Sequence, residues 1–171
     1  FDLEIKQLPF LECKSEIILH IIKEQIDKRK SQNRIILRSF DHTILKPEAT
    51  EADVTKVCKE AIEYKFKSVC INTHYVTLVN RLLKGTGVDT CCVVGFPLGA
   101  STTRAKVDET SDAIKSGAHE IDMVINIGAL KSGNWNIVKS DIEGVVNVAR
   151  GRAIVKVILE TSLLTDEEKI R

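Results

Sequence analysis

Several things are missing from this chain, and each absence removes a class of function. Charge of one sign is not in surplus: 25 lysines and arginines face 24 aspartates and glutamates, for a net charge of +1. So small a net charge gives no general attraction to nucleic acid or to an anionic membrane. One basic knot exists, Lys28-Arg29-Lys30 with Arg34, and it reads as a solvated helix end rather than a nucleic-acid patch. No run of 18 apolar residues occurs, so no membrane-spanning helix is expected. Asp2, Glu4 and Lys6 stand where a secretory leader would be apolar, so no leader is expected. The five cysteines form no Cys-x-x-Cys pair, and no histidine lies at zinc-finger spacing from them. The expectation is a cytoplasmic protein with buried, reduced thiols and no metal site. No Gly-x-Gly-x-x-Gly turn is present either, which speaks against a dinucleotide-binding sheet.

What remains is an ordinary globular composition, 43% hydrophobic and 29% charged over 171 residues, enough for one domain with a substantial core. Residues 1–34 read as an N-terminal amphipathic helical extension, because Ile17, Ile18, Ile21, Ile22 and Ile26 recur at helical spacing. From residue 35 to 171 short apolar strands alternate with amphipathic helices. Thr50 with Asp53, and Thr165 with Glu168, carry the capping signature of helix starts. Helices are expected over about 50–62, 76–83, 102–115 and 136–149, with a fifth opening at Thr165. Strands are expected within 35–45 and over 68–72, 90–94, 120–127 and 153–160. Strict β-α alternation with near-continuous apolar strands specifies an α/β fold with a parallel sheet covered by helices. Polar residues stand inside or at the ends of several strands: Asp41, Asn72, Asp122, Asn126, Lys156 and Glu160. That distribution suits a TIM (β/α)8 barrel, whose site collects residues from many strand ends. Eight units normally need roughly 200–250 residues, so residues 35–171 are expected to hold about the first five β-α units of a longer barrel.

Two strands carry a charge where an apolar residue would be expected. Asp122 lies in the run Ile121-Asp122-Met123-Val124-Ile125, and Lys156 in Ile154-Val155-Lys156-Val157-Ile158. A buried charge costs several kcal/mol unless it is paired or neutralised, and a sequence retains one for a structural network or for chemistry. Asp and Lys on neighbouring strands suggest proton transfer or imine chemistry; a plain salt bridge between them is the structural alternative.

The ordered motifs also resemble those of a known family. Asp41-His42-Thr43-Ile44-Leu45-Lys46-Pro47, Val69-Cys70-Ile71-Asn72 and Val94-Gly95-Phe96-Pro97-Leu98-Gly99 are followed by Glu120-Ile121-Asp122 through Lys131-Ser132-Gly133. Val155-Lys156-Val157-Ile158-Leu159-Glu160-Thr161 closes the series. In this order they resemble the 2-deoxyribose-5-phosphate aldolases, the DeoC-type class I aldolases. The resemblance implies a TIM-barrel lyase that needs no cofactor and acts on a small phosphosugar. A lysine would form a Schiff base with 2-deoxy-D-ribose 5-phosphate, giving D-glyceraldehyde 3-phosphate and acetaldehyde.

Asp122 then matches the proton-relay aspartate and Lys156 a lysine beside the imine. Asp41 and Cys70 match substrate-pocket positions, Cys70 as pocket wall rather than nucleophile; Thr43 and Asn72, at strand ends, are substrate-binding candidates by position, with capping or closing of their turns as the alternative. The family's imine-forming lysine stands in a Lys-Thr-Ser-Thr-Gly motif on the sixth strand, and a second lysine in Gly-Phe-Lys-Pro on the seventh. Neither motif occurs in residues 1–171. Thr73 stands where relatives carry proline. Two expectations follow: a fragment of an aldolase, or a truncated, inactive aldolase-like protein serving as a binding module. A homodimer is the expected assembly.

Overall fold

The computed structural model describes residues 37–171. The helical extension expected over 1–34, with its basic knot, lies outside those residues. Five strands make one sheet in the order β1-β2-β3-β4-β5. They are β1 (Asp41–Ile44), β2 (Ser68–Ile71), β3 (Asp89–Val94), β4 (Glu120–Val124) and β5 (Ile154–Ile158). Between and after them come α1 (Glu51–Tyr64), α2 (Val76–Leu83), α3 (Thr103–Lys115), α4 (Ile127–Lys131), α5 (Trp135–Ala149) and α6 (Asp166–Ile170). Every neighbouring pair is parallel. A doubly wound sheet reverses its strand order partway; an unbroken 1-2-3-4-5 order is the wall of a barrel.

Local chemistry places these elements. Thr50 accepts the Asp53 N–H while the Asp53 carboxylate accepts from the Thr50 backbone, and Val54, Val57, Cys58 and Ala61 then form one buried stripe of α1. Thr165 and Glu168 repeat the same box at α6. Period-two alternation divides the strands between two layers. Val69, Ile71, Cys92, Val94, Ile121 and Met123 face the helices and form the main core. Cys70, Cys91, Val93 and Ile158 face the concave side.

One element differs from expectation. The fourth strand stops at Val124, and Ile127 opens the short helix α4 instead of continuing the strand. The cause is Asn126, whose side-chain oxygen accepts the Ala129 N–H at 3.0 Å and caps a helix inside an apolar run. Leu130 of α4 then packs with Ile125, Val138 and Leu164.

Candidate active site

The concave face carries a charge cluster built from four strands. In the β4–β5 register Asp122 stands opposite Lys156, and Glu120, two residues earlier, shares the face with Asp122. The Lys156 Nζ lies 3.1 Å from Asp122 Oδ1, 3.2 Å from Glu120 Oε2 and 2.5 Å from Asp41 Oδ2. Asp41 belongs to β1, four strands away in the sheet order. Contact between β1 and β5 side chains requires the sheet to curl, so the cluster itself reports barrel curvature. The second Asp41 oxygen accepts the Ser68 hydroxyl at 2.7 Å. Glu120 is also paired with Lys67 at 2.9 Å, and Lys67 binds Asp89.

The Lys156 ammonium thus faces three carboxylates, of which Glu120 is shared with Lys67, and burial and these contacts together set how the group titrates. Burial pushes the Asp122 carboxyl above its usual range, against the opposing pull of Lys156. Burial disfavours the charge on Lys156, but the hydrogen bond to Asp41 and the neighbouring acids outweigh it and hold the ammonium well above the usual lysine range. A lysine so held carries no free lone pair for attack on a carbonyl. Asp122, by contrast, is raised by burial and gives up its proton less readily than an exposed aspartate, which suits a group that passes protons. Cys91 lies on the same face; its hydrogen-bond contact with Cys70, together with burial, pushes its thiol far up and keeps it protonated.

Of the other predicted residues, Cys70 is buried in the apolar floor beside Cys91 and Val93. Thr43 is exposed on the face of Asp41, and its hydroxyl donates to the Asp41 carbonyl at 3.2 Å. Asn72 sits outside the ion cluster: its side-chain amide donates to the Leu45 carbonyl at 3.4 Å, tying the ends of β1 and β2 together. Gly95 and Gly99 use their amides internally. Gly95 donates to Glu109 Oε2 at 2.9 Å and Gly99 to the Gly95 carbonyl at 2.8 Å, so this stretch is a tight turn. Glu109 also accepts the Thr73 hydroxyl at 3.3 Å, a bond that proline could not make. His42 pairs with Glu60 at 2.8 Å and stacks on Phe66, away from the cluster.

Cys70, Cys91 and Asp122 offer ligand atoms within 4.8 Å of one another, as do Asp41, Cys91 and Glu120. In both groups the Lys156 ammonium already supplies the positive charge that the carboxylates face.

Glu120, Lys67, Ser68 and Cys91 were missed from sequence as members of the cluster. The signal for Glu120 was its i, i+2 relation to Asp122 in a strand. Lys67 and Ser68 lie on β2 or just before it, and only the sheet register brings them in.

A family model described as DeoC/LacD family aldolase matches residues 35–170. A deoxyribose-phosphate aldolase of Clostridium tetani is 62% identical over 136 residues, 80% of this chain and 63% of that protein. One from Enterococcus faecalis is 60% identical over 134 residues, 78% of this chain and 61% of that protein. The chain therefore spans about three-fifths of the length of the curated relatives it matches. Among solved structures, the tetrameric deoxyribose phosphate aldolase from Aeropyrum pernix is similar with a TM-score of 0.74 and 32% identity, over 86% of this chain and 62% of that one. The aldolase QR15 is similar with a TM-score of 0.73 and 34% identity, over 77% of this chain and 58% of that one. Among the described residues, no helix is long and apolar enough to cross a membrane.

Proposed function

The chain belongs to the DeoC/LacD aldolase family, and from that premise we propose that it carries part of the active site of a deoxyribose-phosphate aldolase. The reaction is reversible cleavage of 2-deoxy-D-ribose 5-phosphate to D-glyceraldehyde 3-phosphate and acetaldehyde. A lysine amine adds to the substrate aldehyde and loses water to give an imine. The substrate's C3 hydroxyl then gives up its proton as the C2–C3 bond breaks. Glyceraldehyde 3-phosphate leaves, and the electron pair is held as an enamine. Protonation and hydrolysis of the enamine release acetaldehyde.

The observation that carries this reading is the Asp122–Lys156–Asp41 cluster on the concave face of a family-typical sheet. Asp122, raised by burial, shuttles protons at the carbinolamine and enamine steps. Lys156, held as an ammonium by its acids, supplies positive charge beside the imine rather than forming it. Asp41 orients Lys156. Thr43 and Asn72 meet substrate hydroxyls at the strand ends, and Cys70 forms pocket wall. The imine-forming amine comes from a Lys-Thr-Ser-Thr-Gly strand that residues 1–171 do not contain. The setting is cytoplasmic and the assembly a homodimer.

Borohydride trapping tests the assignment. The 171-residue chain and a form extended through both missing lysine motifs are each incubated with deoxyribose 5-phosphate, reduced, and weighed intact. The expected result is a substrate-sized mass gain on the extended form alone, mapped outside residues 1–171. A gain mapped to Lys156 overturns its electrostatic role, and an extended form that neither traps nor cleaves the sugar overturns the aldolase reading.

A further inference from the structure

A second charge pair lies outside the cluster, in the seam between α3 and α5. Lys106 on α3 is 0% exposed and Asp141 on α5 is 1% exposed. The Lys106 ammonium binds the Asp141 carboxylate and also donates to the Val124 carbonyl at 2.8 Å. Val124 is the last residue of β4, two beyond Asp122. The next amide, Ile125 N–H, donates to the Ile158 carbonyl of β5 at 3.0 Å. One peptide unit at the end of β4 is therefore held from both sides, by Lys106 on its carbonyl and by β5 on its amide.

The turn after β3 closes on this lysine at Gly95 and on the end of β4 at Gly99. A Cβ on Gly95, at the end of β3, would come within 2.8 Å of Lys106 Cε, and one on Gly99 would come within 1.9 Å of the Ile125 carbonyl oxygen. The lysine stem runs through space that only glycine leaves open.

Packing alone does not call for this arrangement. A buried ion pair is often no better for stability than apolar side chains of the same volume, because desolvation offsets the attraction. An apolar pair would fill the α3–α5 seam equally well. It would not deliver a hydrogen-bond donor to a strand-end carbonyl whose neighbours are fully buried.

We propose that Lys106 is a positioning residue: held by Asp141, it fixes the end of β4 and so sets the distance between Asp122 and Lys156. What Asp122 does there rests on the aldolase reading; where it sits does not.

The test replaces both charges, Lys106→Met with Asp141→Leu, so the net charge is unchanged and the field at Asp122 is little altered. Two quantities are read on the folded chain by NMR: hydrogen exchange at the Ile125 amide, and the titration midpoint of the Asp122 carboxyl carbon. The expected result is Ile125 exchange at least tenfold faster, with the β2 amides unchanged. The Asp122 midpoint should also rise as its contact with Lys156 loosens. A folded double variant with Ile125 protection and Asp122 midpoint unchanged overturns the proposal. So does a uniform rise in exchange across β2 and β4, which would mean a purely global role. If the double variant does not fold, the unaltered chain decides. Scalar coupling between Lys106 Nζ and the Val124 carbonyl carbon supports the grip, and its absence overturns it. Neither readout needs turnover, so loss of the aldolase reading in the trapping experiment leaves this result standing, and the converse holds too.

Discussion

Asp122 and Lys156 oppose each other in their effect on stability. The folded-state pKa of Asp122 is raised, chiefly by burial, so the folded protein binds its proton more readily than the unfolded chain does. Its contribution is most favourable below the unfolded value of about 3.9 and is lost as pH rises through the folded value. Asp122→Asn should therefore raise the melting temperature at pH 7, with the gain shrinking as pH falls toward about 4. In an active, extended form the same change should lower kcat by roughly 10²–10⁴-fold. A melting temperature lower at pH 7 than at pH 4, relative to the unaltered protein, would contradict the burial argument. Lys156 is raised despite burial, by Asp41 and its neighbours, so its stabilisation is full below the unfolded lysine value and constant across the neutral range. Lys156→Met leaves Asp41, Glu120 and Asp122 without their shared cation. The site is partly open, with the lysine side chain 40% exposed, so the loss should be about 1–3 kcal/mol in urea denaturation at pH 7. An unchanged midpoint would show that the carboxylates do not depend on it. Sequence made Asp122 and Lys156 legible because a charge inside an apolar strand stands out. It left Lys106 and Asp141 unseen, though a signal was there: Asp141 lies on the buried stripe Val138–Val145–Ala149 of α5, where an acid needs a partner. The partner's identity depends on how α3 and α5 meet, which no local pattern encodes.

Helices stand where the sequence places them wherever a threonine cap marks the start. Thr50, Thr102 and Thr165 each accept the N–H three residues on, and each stands directly before its helix. Thr50→Ala should cost about 1 kcal/mol of stability, measured by denaturant titration, because it removes one half of the α1 capping box. No measurable change would mean that tertiary packing alone places that helix. Strand β4 was read too long because an apolar run does not say whether it continues as strand or turns into helix. Asn126 makes the turn, and the following loop is then locked against the β3–α3 turn. Gly99, at φ +65, has the Ile125 carbonyl oxygen where a Cβ would stand, 1.9 Å away. Gly99→Ala must therefore move backbone as well as adopt a strained conformation. A loss of about 3 kcal/mol or more is expected, read in the same titration, and a loss under about 1 kcal/mol would mean the two loops separate easily.

At the scale of the whole molecule the controlling feature is the outer side of β5. The Ile154 N–H and the Ile158 carbonyl both bond toward β4, so in a parallel ladder the backbone groups of Val155 and Val157 face the other way. Among the described residues no strand pairs with them. The strand opens on an exposed apolar residue: Ile154 is 59% exposed. An unpaired, apolar strand edge is a template for another chain. The 171-residue chain should therefore self-associate, its sedimentation coefficient rising with concentration up to about 100 µM. The Aeropyrum pernix relative is a tetramer, but association through an open strand edge is a different matter from a family interface, and one substitution separates the two. Ile154→Lys places an ammonium on the edge, opposite Glu120 in the register, where it repels an incoming copy while gaining a local partner. It should weaken association at least tenfold and leave the fold, read by circular dichroism, intact. If the chain sediments as a monomer throughout, the edge is not adhesive. If it associates and Ile154→Lys changes nothing, the contact lies elsewhere, and the half-buried backbone of β5 is not what joins the copies.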